Sequence, residues 1–452
     1  MVTALTPRLE WQREQIAAER TIRLRALIAH AKTFAPWHRH RLQHIDPNTV
    51  TEADLERIPP MTKADLVEHF EGIVTDRRLT LNRLLAHLNG PLDNVYLDEH
   101  FIAATSSGTT GTPTVCVYDR TAFSIMNCLI LRWRLRNAKL TGRPFALGNV
   151  ASLYADNSTQ VQIMAAKVFP PSPNRFSVPV TRPLPWMVSQ LNVVKPGIMI
   201  GASSIMAILA EESAAGRLDI APQEIVTTAE LLSGEMRQAI LRQWPAKVLN
   251  VWGMSEGLFA VPCHTQDHQH LPDDLAIVEP VTAAGERVGD RVVSNHVLFT
   301  NLYNYAQPLI RLTITDQVAV SQDPCPCGSH HHRVVALEGR VEDQLVFRGT
   351  KVVSFALLLP LWRVRHVVTF QLRQTTNGIH VLLVQNGPVD HNQIAAILRG
   401  ALLNCGIENT MVTVEQVDGI KRTKAGKHRY VVALHEKSEP GPSSGADQQA
   451  KP

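Results

Sequence analysis

Ten consecutive residues, Thr105-Ser-Ser-Gly-Thr-Thr-Gly-Thr-Pro-Thr114, contain seven hydroxyls and two glycines. Glycine lets a backbone approach an anion closely, and hydroxyl and amide groups donate to its oxygens, so the composition suits a phosphate-cradling loop. No Gly-Lys-Ser/Thr follows, which separates it from a Walker A loop. An ordinary polar turn shares this composition but not the order Ser-Gly-Thr-Thr-Gly-x-Pro-Thr. A second group is thiol and imidazole. Cys263 and His270 lie seven apart, and Cys325-Pro326-Cys327 begins 55 residues after His270. Three thiols and one imidazole form a structural zinc set that leaves no coordination position open. Free thiols in a His-rich loop are the competing reading, with His264, His268 and His330 to His332 as rival donors. The third group is Lys421-Arg-Thr-Lys-Ala-Gly-Lys-His-Arg429. Such a run is a solvated basic face, an RNA-binding patch, or a mobile cation for an anionic reaction.

The order of the phosphate loop resembles the adenylate-forming superfamily of acyl-CoA synthetases, and within it the phenylacetate–CoA ligase-like branch. Leu27–Leu42 and Ile58–Leu66, the latter with a P-x-T-K-x-D-L pattern, are similar to the N-terminal segments of that branch. The resemblance implies that Ser107, Gly108, Thr109, Thr110 and Gly111 hold phosphate. Thr112 stands where the family usually carries Lys. Thr227-Thr228-Ala229-Glu230 resembles the adenine-side loop, which makes Ala229 and Glu230 nucleotide-binding residues. Val251-Trp-Gly-Met-Ser-Glu256 resembles a Y-G-x-T-E motif. There Trp252 and Gly253 lie by the adenine, Ser255 reaches the α-phosphate and Glu256 holds Mg²⁺, with Trp for Tyr and Ser for Thr keeping a π-face and a hydroxyl. Asp316, after Pro308–Leu312, resembles the residue that accepts both ribose hydroxyls. Gly339-Arg340-Val-Glu-Asp343 resembles G-R-x-D-D, with Arg340 on the nucleotide and Glu342 in the first acid position. Lys427 matches the catalytic lysine of R-x-x-x-G-K-x-x-R; Arg429 comes one residue early, and Lys424 lacks the preceding glycine. Some members of this branch carry a similar Cys and His cluster.

What the resemblance implies is AMP-forming activation of a carboxylic acid by ATP and Mg²⁺, then transfer of the acyl group to coenzyme A. Transfer to an amine or other acceptor is the alternative, as is a degenerate adenylate-binding protein without turnover. The chemistry needs two anions screened and an acid oxygen aligned on the α-phosphorus. In this family a small domain rotates between half-reactions, offering first its lysine and then the face near Arg348–Val352. An aromatic or hydrophobic acid would suit a pocket drawn from Tyr154, Gly201–Ser204 and Met254.

These residues need a frame. Short β-rich runs at 144–150, 197–200, 224–228 and 247–251 alternate with helical runs at 121–135, 203–212 and 234–243. This is the signature of an α/β layered domain with mostly parallel sheets. An amphipathic helix is expected over 8–33, with Ile16, Leu24, Leu27, Ile28 and Ala31 on one face. Thr62 is the expected N-cap of a helix over 63–69. Antiparallel strands are expected at 292–300 and 309–315, and a small α+β domain follows with strands near 344–346, 367–374, 379–384 and 410–416 and a helix over 391–403. The domain boundaries read 1–340, 341–436 and a disordered tail 437–452 rich in Pro, Gly, Ser and charge. The 452 residues carry a formal charge of +4, with 44% hydrophobic and 19% charged side chains. That balance excludes a disordered chain and a nucleic-acid-coating protein. Six cysteines are too few for a disulfide scaffold and fit a reducing compartment. The N-terminus turns charged before an apolar signal core forms, and no apolar run reaches membrane-spanning length. The expected setting is the cytoplasm, with a homodimer left open.

Overall fold

Apolar side chains at helical spacing build the first long element, the helix Arg13–Phe34, which buries Ile16, Leu24, Leu27, Ile28 and Ala31. It starts later than the expected residue 8. Pro7–Glu10 forms a 3-10 turn, and extended backbone at Trp11 and Gln12 (ψ 146° and 161°) separates the two. The computed structural model describes residues 1–90, 95–105, 114–142, 148–154, 159–168, 172–229, 232, 234–340, 345–347, 349–352, 355–362, 364, 366–385, 387–420 and 430–434. The helix expected over 63–69 is two short ones, Asp65–Glu68 and Phe70–Ile73. The N-cap of the first is Ala64, not the expected Thr62, which instead exchanges hydrogen bonds with Asp65 from outside the helix. The Thr62 hydroxyl accepts from the Asp65 amide at 3.2 Å, while the Asp65 carboxylate accepts from the Thr62 amide at 2.7 Å.

The strand–helix alternation produces half of a nine-stranded sheet. Arg175–Ser177, Val150–Leu153, Ile198–Gly201, Glu224–Thr228 and Lys247–Gly253 pair in parallel in that spatial order. The helices Leu184–Val194, Ser203–Ala214 and Gly234–Gln243 make the crossovers and bury Leu191, Met206, Leu209 and Ile240 with Trp244 against the strands. Beyond Lys247–Gly253 the sheet turns antiparallel through Phe259–Pro262, Gln269–His270, Arg333–Arg340 and Asp316–Ser321. The change of direction leaves the carboxyl ends of Glu224–Thr228 and Lys247–Gly253 side by side, the position where open α/β sheets bind ligands.

Two three-stranded antiparallel sheets flank this one. Phe101–Thr105 lies between Tyr96–Leu97 and Val115–Asp119, and His296–Asn301 lies between Ala276–Val281 and Leu312–Ile314. The last strand is shorter than the expected 309–315. Arg311 takes a positive φ of 54°, which interrupts the extended run just before Leu312.

Described residues within Met1–Val341 form one compact unit, and those of Glu342–Ile420 and from Tyr430 onward form another. The second has a sheet ordered Met411–Gln416, Gly378–Gln385, Val367–Thr375, Val431–Val432, with helices Phe355–Trp362 and His391–Asn404. Its core centres on Leu361, Phe370, Leu383, Ile394 and Leu398. Among the described residues no helix is long and apolar enough to cross a membrane.

In the first unit the short helix Pro36–Arg41 buries His38 completely, with its Nε2 2.9 Å from the Pro308 carbonyl oxygen. Burial, reinforced by neighbouring Arg41, lowers the His38 pKa from 6.5 to about 3. Between those values the unfolded chain binds a proton that the folded chain refuses, so stability falls as pH drops. Lowering the pH from 7 to 4.5 is expected to remove about 2 kcal/mol through this residue. Urea unfolding at both pH values should show His38→Gln with a flatter dependence; an unchanged slope would exclude His38 as the cause.

Candidate functional site

The polypeptide leaves Lys247–Gly253 through the corner Met254–Gly257, closed by Met254 N donating to Leu258 O at 2.9 Å and Gly257 N to Met254 O at 3.0 Å. Gly257 has φ +104°, and a Cβ there would lie 2.5 Å from Asn301 Nδ2 and 2.6 Å from the Tyr303 hydroxyl, so only glycine fits. Those neighbours are crowded because they hold the corner. The Tyr118 hydroxyl donates to the Ser255 carbonyl, Asn301 Nδ2 to the Glu256 carbonyl at 3.1 Å, and the Tyr303 hydroxyl to the Gly257 carbonyl at 2.5 Å. Three consecutive carbonyls are thus fixed by side chains from two other sheets.

On this rigid corner, Ser255 Oγ donates to the Thr105 carbonyl at 3.2 Å. The end of Phe101–Thr105, where the hydroxyl-rich loop begins, is therefore beside Ser255. Glu256 is only 2% exposed, and its Oε1 lies 3.0 Å from Lys63 Nζ. Trp252 is buried against Met61, Leu258, Leu271 and Val318, with its amide donating to Gln269 Oε1 at 2.7 Å. Ala229, at the end of the neighbouring strand, has φ +69°, a left-handed turn that a non-glycine residue adopts at some cost. Asp316 is half-buried and opens the strand Asp316–Ser321, in register with Arg340. Ser203 and Ser204 are buried at the start of their helix, and Gly201 lets its strand approach Leu153.

The structure therefore brings Ala229, Trp252, Gly253, Ser255 and Glu256 to the carboxyl ends of two neighbouring interior strands of the large sheet. Ser107, Gly108, Thr109, Thr110, Gly111, Glu230, Lys427 and the tail 437–452 lie outside the described residues, as does the side chain of Arg340. Sequence reasoning assigned no role to Lys63, Tyr118, Asn301 or Tyr303. The Thr62-Lys63-x-Asp65 pattern was visible, but only folding shows that it faces Glu256.

Cys263, His270, Cys325 and Cys327 converge, with one donor atom from each lying within 4.8 Å of every other. No disulfide forms: Cys263 Sγ and Cys325 Sγ are 3.7 Å apart. His270 directs Nε2 toward Cys327 Sγ at 3.4 Å, and its ring stacks on Trp133 at 4.6 Å and 14°. The Cys327 contact, opposed by burial and aided by His268 and His270, holds the Cys263 thiol far below its ordinary range, while the same contact pushes Cys327 up. Of the rival donors, His268 Nε2 lies 3.2 Å from Cys325 Sγ, whereas His331 and His332 turn to Leu271 and Asp273.

No protein-family model matches the chain. In sequence it is 25% identical over 374 residues to the phenylacetate-coenzyme A ligase of Thermus thermophilus, covering 75% of this chain and 74% of the relative. In structure it is similar to 2-hydroxyisobutyryl-CoA ligase in complex with R3-HIB-AMP in the postadenylation state, with a TM-score of 0.61 at 17% identity over 95% of this chain and 92% of the other. The same ligase with 2-HIB-AMP and CoA in the thioesterification state gives a TM-score of 0.59 at 18% identity, covering 94% and 91%. The chain thus has the fold of 2-hydroxyisobutyryl-CoA ligase and is similar in sequence to a phenylacetate-coenzyme A ligase.

Proposed function

We propose that the protein is an ATP-dependent, AMP-forming acid–CoA ligase. A carboxylate displaces pyrophosphate from ATP to give an acyl-adenylate, and the thiol of coenzyme A then takes the acyl group and releases AMP. The observation that carries this reading is the Ser255–Glu256 corner, braced by Tyr118, Asn301 and Tyr303 at the carboxyl ends of the parallel strands and bonded to the strand that begins the phosphate loop. A hydroxyl on fixed backbone can donate to a phosphate oxygen without reorganising, which is where such sites gain their rate. Ser255 would meet the α-phosphate, Asp316 would accept the ribose hydroxyls, and Arg340 and Lys427 would supply positive charge. Glu256, a buried carboxylate at this corner, fits a ligand of Mg²⁺, which would screen phosphate charge when bound.

The test is pyrophosphate release against a panel of aromatic and aliphatic acids, with no release from any acid sinking the proposal. Adding CoA or amines to the active pairs then identifies the acceptor, and thioester formation with CoA alone is expected.

The same reading assigns structural Zn²⁺ to Cys263, His270, Cys325 and Cys327. Three thiols and one imidazole Nε2 within reach of a single ion fit a closed tetrahedral site. About one zinc per chain is expected in freshly purified protein, and Cys325→Ser should lose it together with several degrees of Tm. Metal analysis finding no zinc would remove the assignment.

A further inference from the structure

The hydroxyl-rich loop Thr105–Thr114 contains no cationic side chain. A triphosphate at the Ser255 corner still needs positive charge from the protein, because bound metal alone leaves phosphate oxygens without donors. Lys63 stands at that corner on a tightly held segment. Met61 N donates to the Arg311 carbonyl at 2.9 Å, and Thr313 N donates to the Met61 carbonyl at 2.8 Å. Thr62 and Asp65 exchange hydrogen bonds on the other side, while Met61 and Leu66 are buried in the cluster that contains Trp252 and Met254. The backbone is pinned at both flanks, and the lysine reaches out to place Nζ 3.0 Å from Glu256 Oε1.

The two partners differ in freedom. The Lys63 side chain is 30% exposed and the Glu256 side chain 2%. A lysine ammonium on a flexible four-carbon stem can move from one anion to another, whereas the buried carboxylate keeps its place. We propose that Lys63 is the triphosphate-side cation of this ATP site, supplied by the N-terminal segment in place of a loop lysine. This rests on the reading of the Ser255–Glu256 corner as the phosphate site. Lys63 then contributes to binding of the β- and γ-phosphates and little to binding of AMP, which lacks them.

The experiment measures ATP and AMP affinity by calorimetry in the presence of Mg²⁺ for the wild-type chain and for Lys63→Met, Lys63→Arg and Lys63→Met/Thr112→Lys. Lys63→Met is expected to weaken ATP about tenfold, the scale of one charge-assisted hydrogen bond, and AMP less than about twofold. Lys63→Arg should keep ATP affinity within about threefold. The double variant, which returns a cation through the loop, should recover most of the loss; a lysine with only a packing role would show no such rescue. Equal weakening of ATP and AMP, or unchanged ATP affinity in Lys63→Met, overturns the proposal. Should the wild-type chain bind ATP with this Lys63 dependence yet release no pyrophosphate with any acid, the ligase reading falls and the Lys63 assignment stands. A wild-type chain that binds neither nucleotide overturns both.

Discussion

Lys427→Ala is expected to lower acid-dependent pyrophosphate release by about a thousandfold while leaving ATP affinity within about threefold. The effect is electrostatic. As the carboxylate attacks the α-phosphorus, charge builds on the departing pyrophosphate, and a cation that meets it only then lowers the barrier without tightening ground-state binding. Lys427 follows Ala425-Gly426, in the order that resembles the catalytic-lysine element, whereas Lys424 lacks a preceding glycine. Lys424→Ala is the internal control and should retain nearly full rate. Single-turnover pyrophosphate release with the best acid of the panel measures both. A Lys427→Ala rate within about fivefold of wild type would refute the role.

Arg132→Met should destabilise the large unit by about 3–5 kcal/mol, the cost of leaving a buried charge without its partner. The Arg132 guanidinium donates from two nitrogens to the two Asp274 oxygens at 2.8 and 2.7 Å, and both side chains are fully buried. Burial alone would raise the Asp274 pKa, but Arg132 outweighs it and keeps the carboxylate below its ordinary range. The pair also bears on the Cys/His cluster. The same helix, Arg120–Thr141, carries Trp133 onto the His270 ring and Arg136 to the Cys327 carbonyl at 3.0 Å. The substitution should therefore loosen the cluster as well as the fold. Urea unfolding reads the first effect and zinc retention against a chelator the second. Arg132→Met/Asp274→Leu should recover most of the stability by removing both charges; a double variant as unstable as the single one would show that packing dominates.

Much of the parallel half of the large sheet was legible because most elements there have one local cause; the strand expected at 144–150 instead runs over Val150–Leu153, and Arg175–Ser177 was not expected. Glu224–Thr228 and Gly234–Gln243 begin and end where the sequence pattern places them, and the face of Arg13–Phe34 buries the five expected residues. Local patterning failed where the backbone answers to distant contacts. Nothing near Trp11 announces the extended break before Arg13, and the positive φ of Arg311 accompanies a guanidinium that bonds the Ile58 carbonyl at 2.6 Å and Glu279 at 3.2 Å. The site divides the same way. Ser255, Glu256 and the four residues of the Cys/His cluster are named by residue type and order, whereas Lys63, Tyr118, Asn301 and Tyr303 come from separate elements and acquire meaning only as neighbours.

The sequence by itself carried the resemblance to the adenylate-forming enzymes, because glycines, hydroxyls and acids must occur in a set order along the chain to serve a nucleotide. It also nominated Cys263, His270, Cys325 and Cys327, since few residue types bind a soft metal. Tertiary structure alone decided that those four donors lie within 4.8 Å of one another, what clamps the Ser255–Glu256 corner, and that Lys63 meets Glu256 across 193 positions. The reason is that residue type limits what a side chain can do. The distances over which it acts are a few ångströms, and only the fold brings far-separated residues that close.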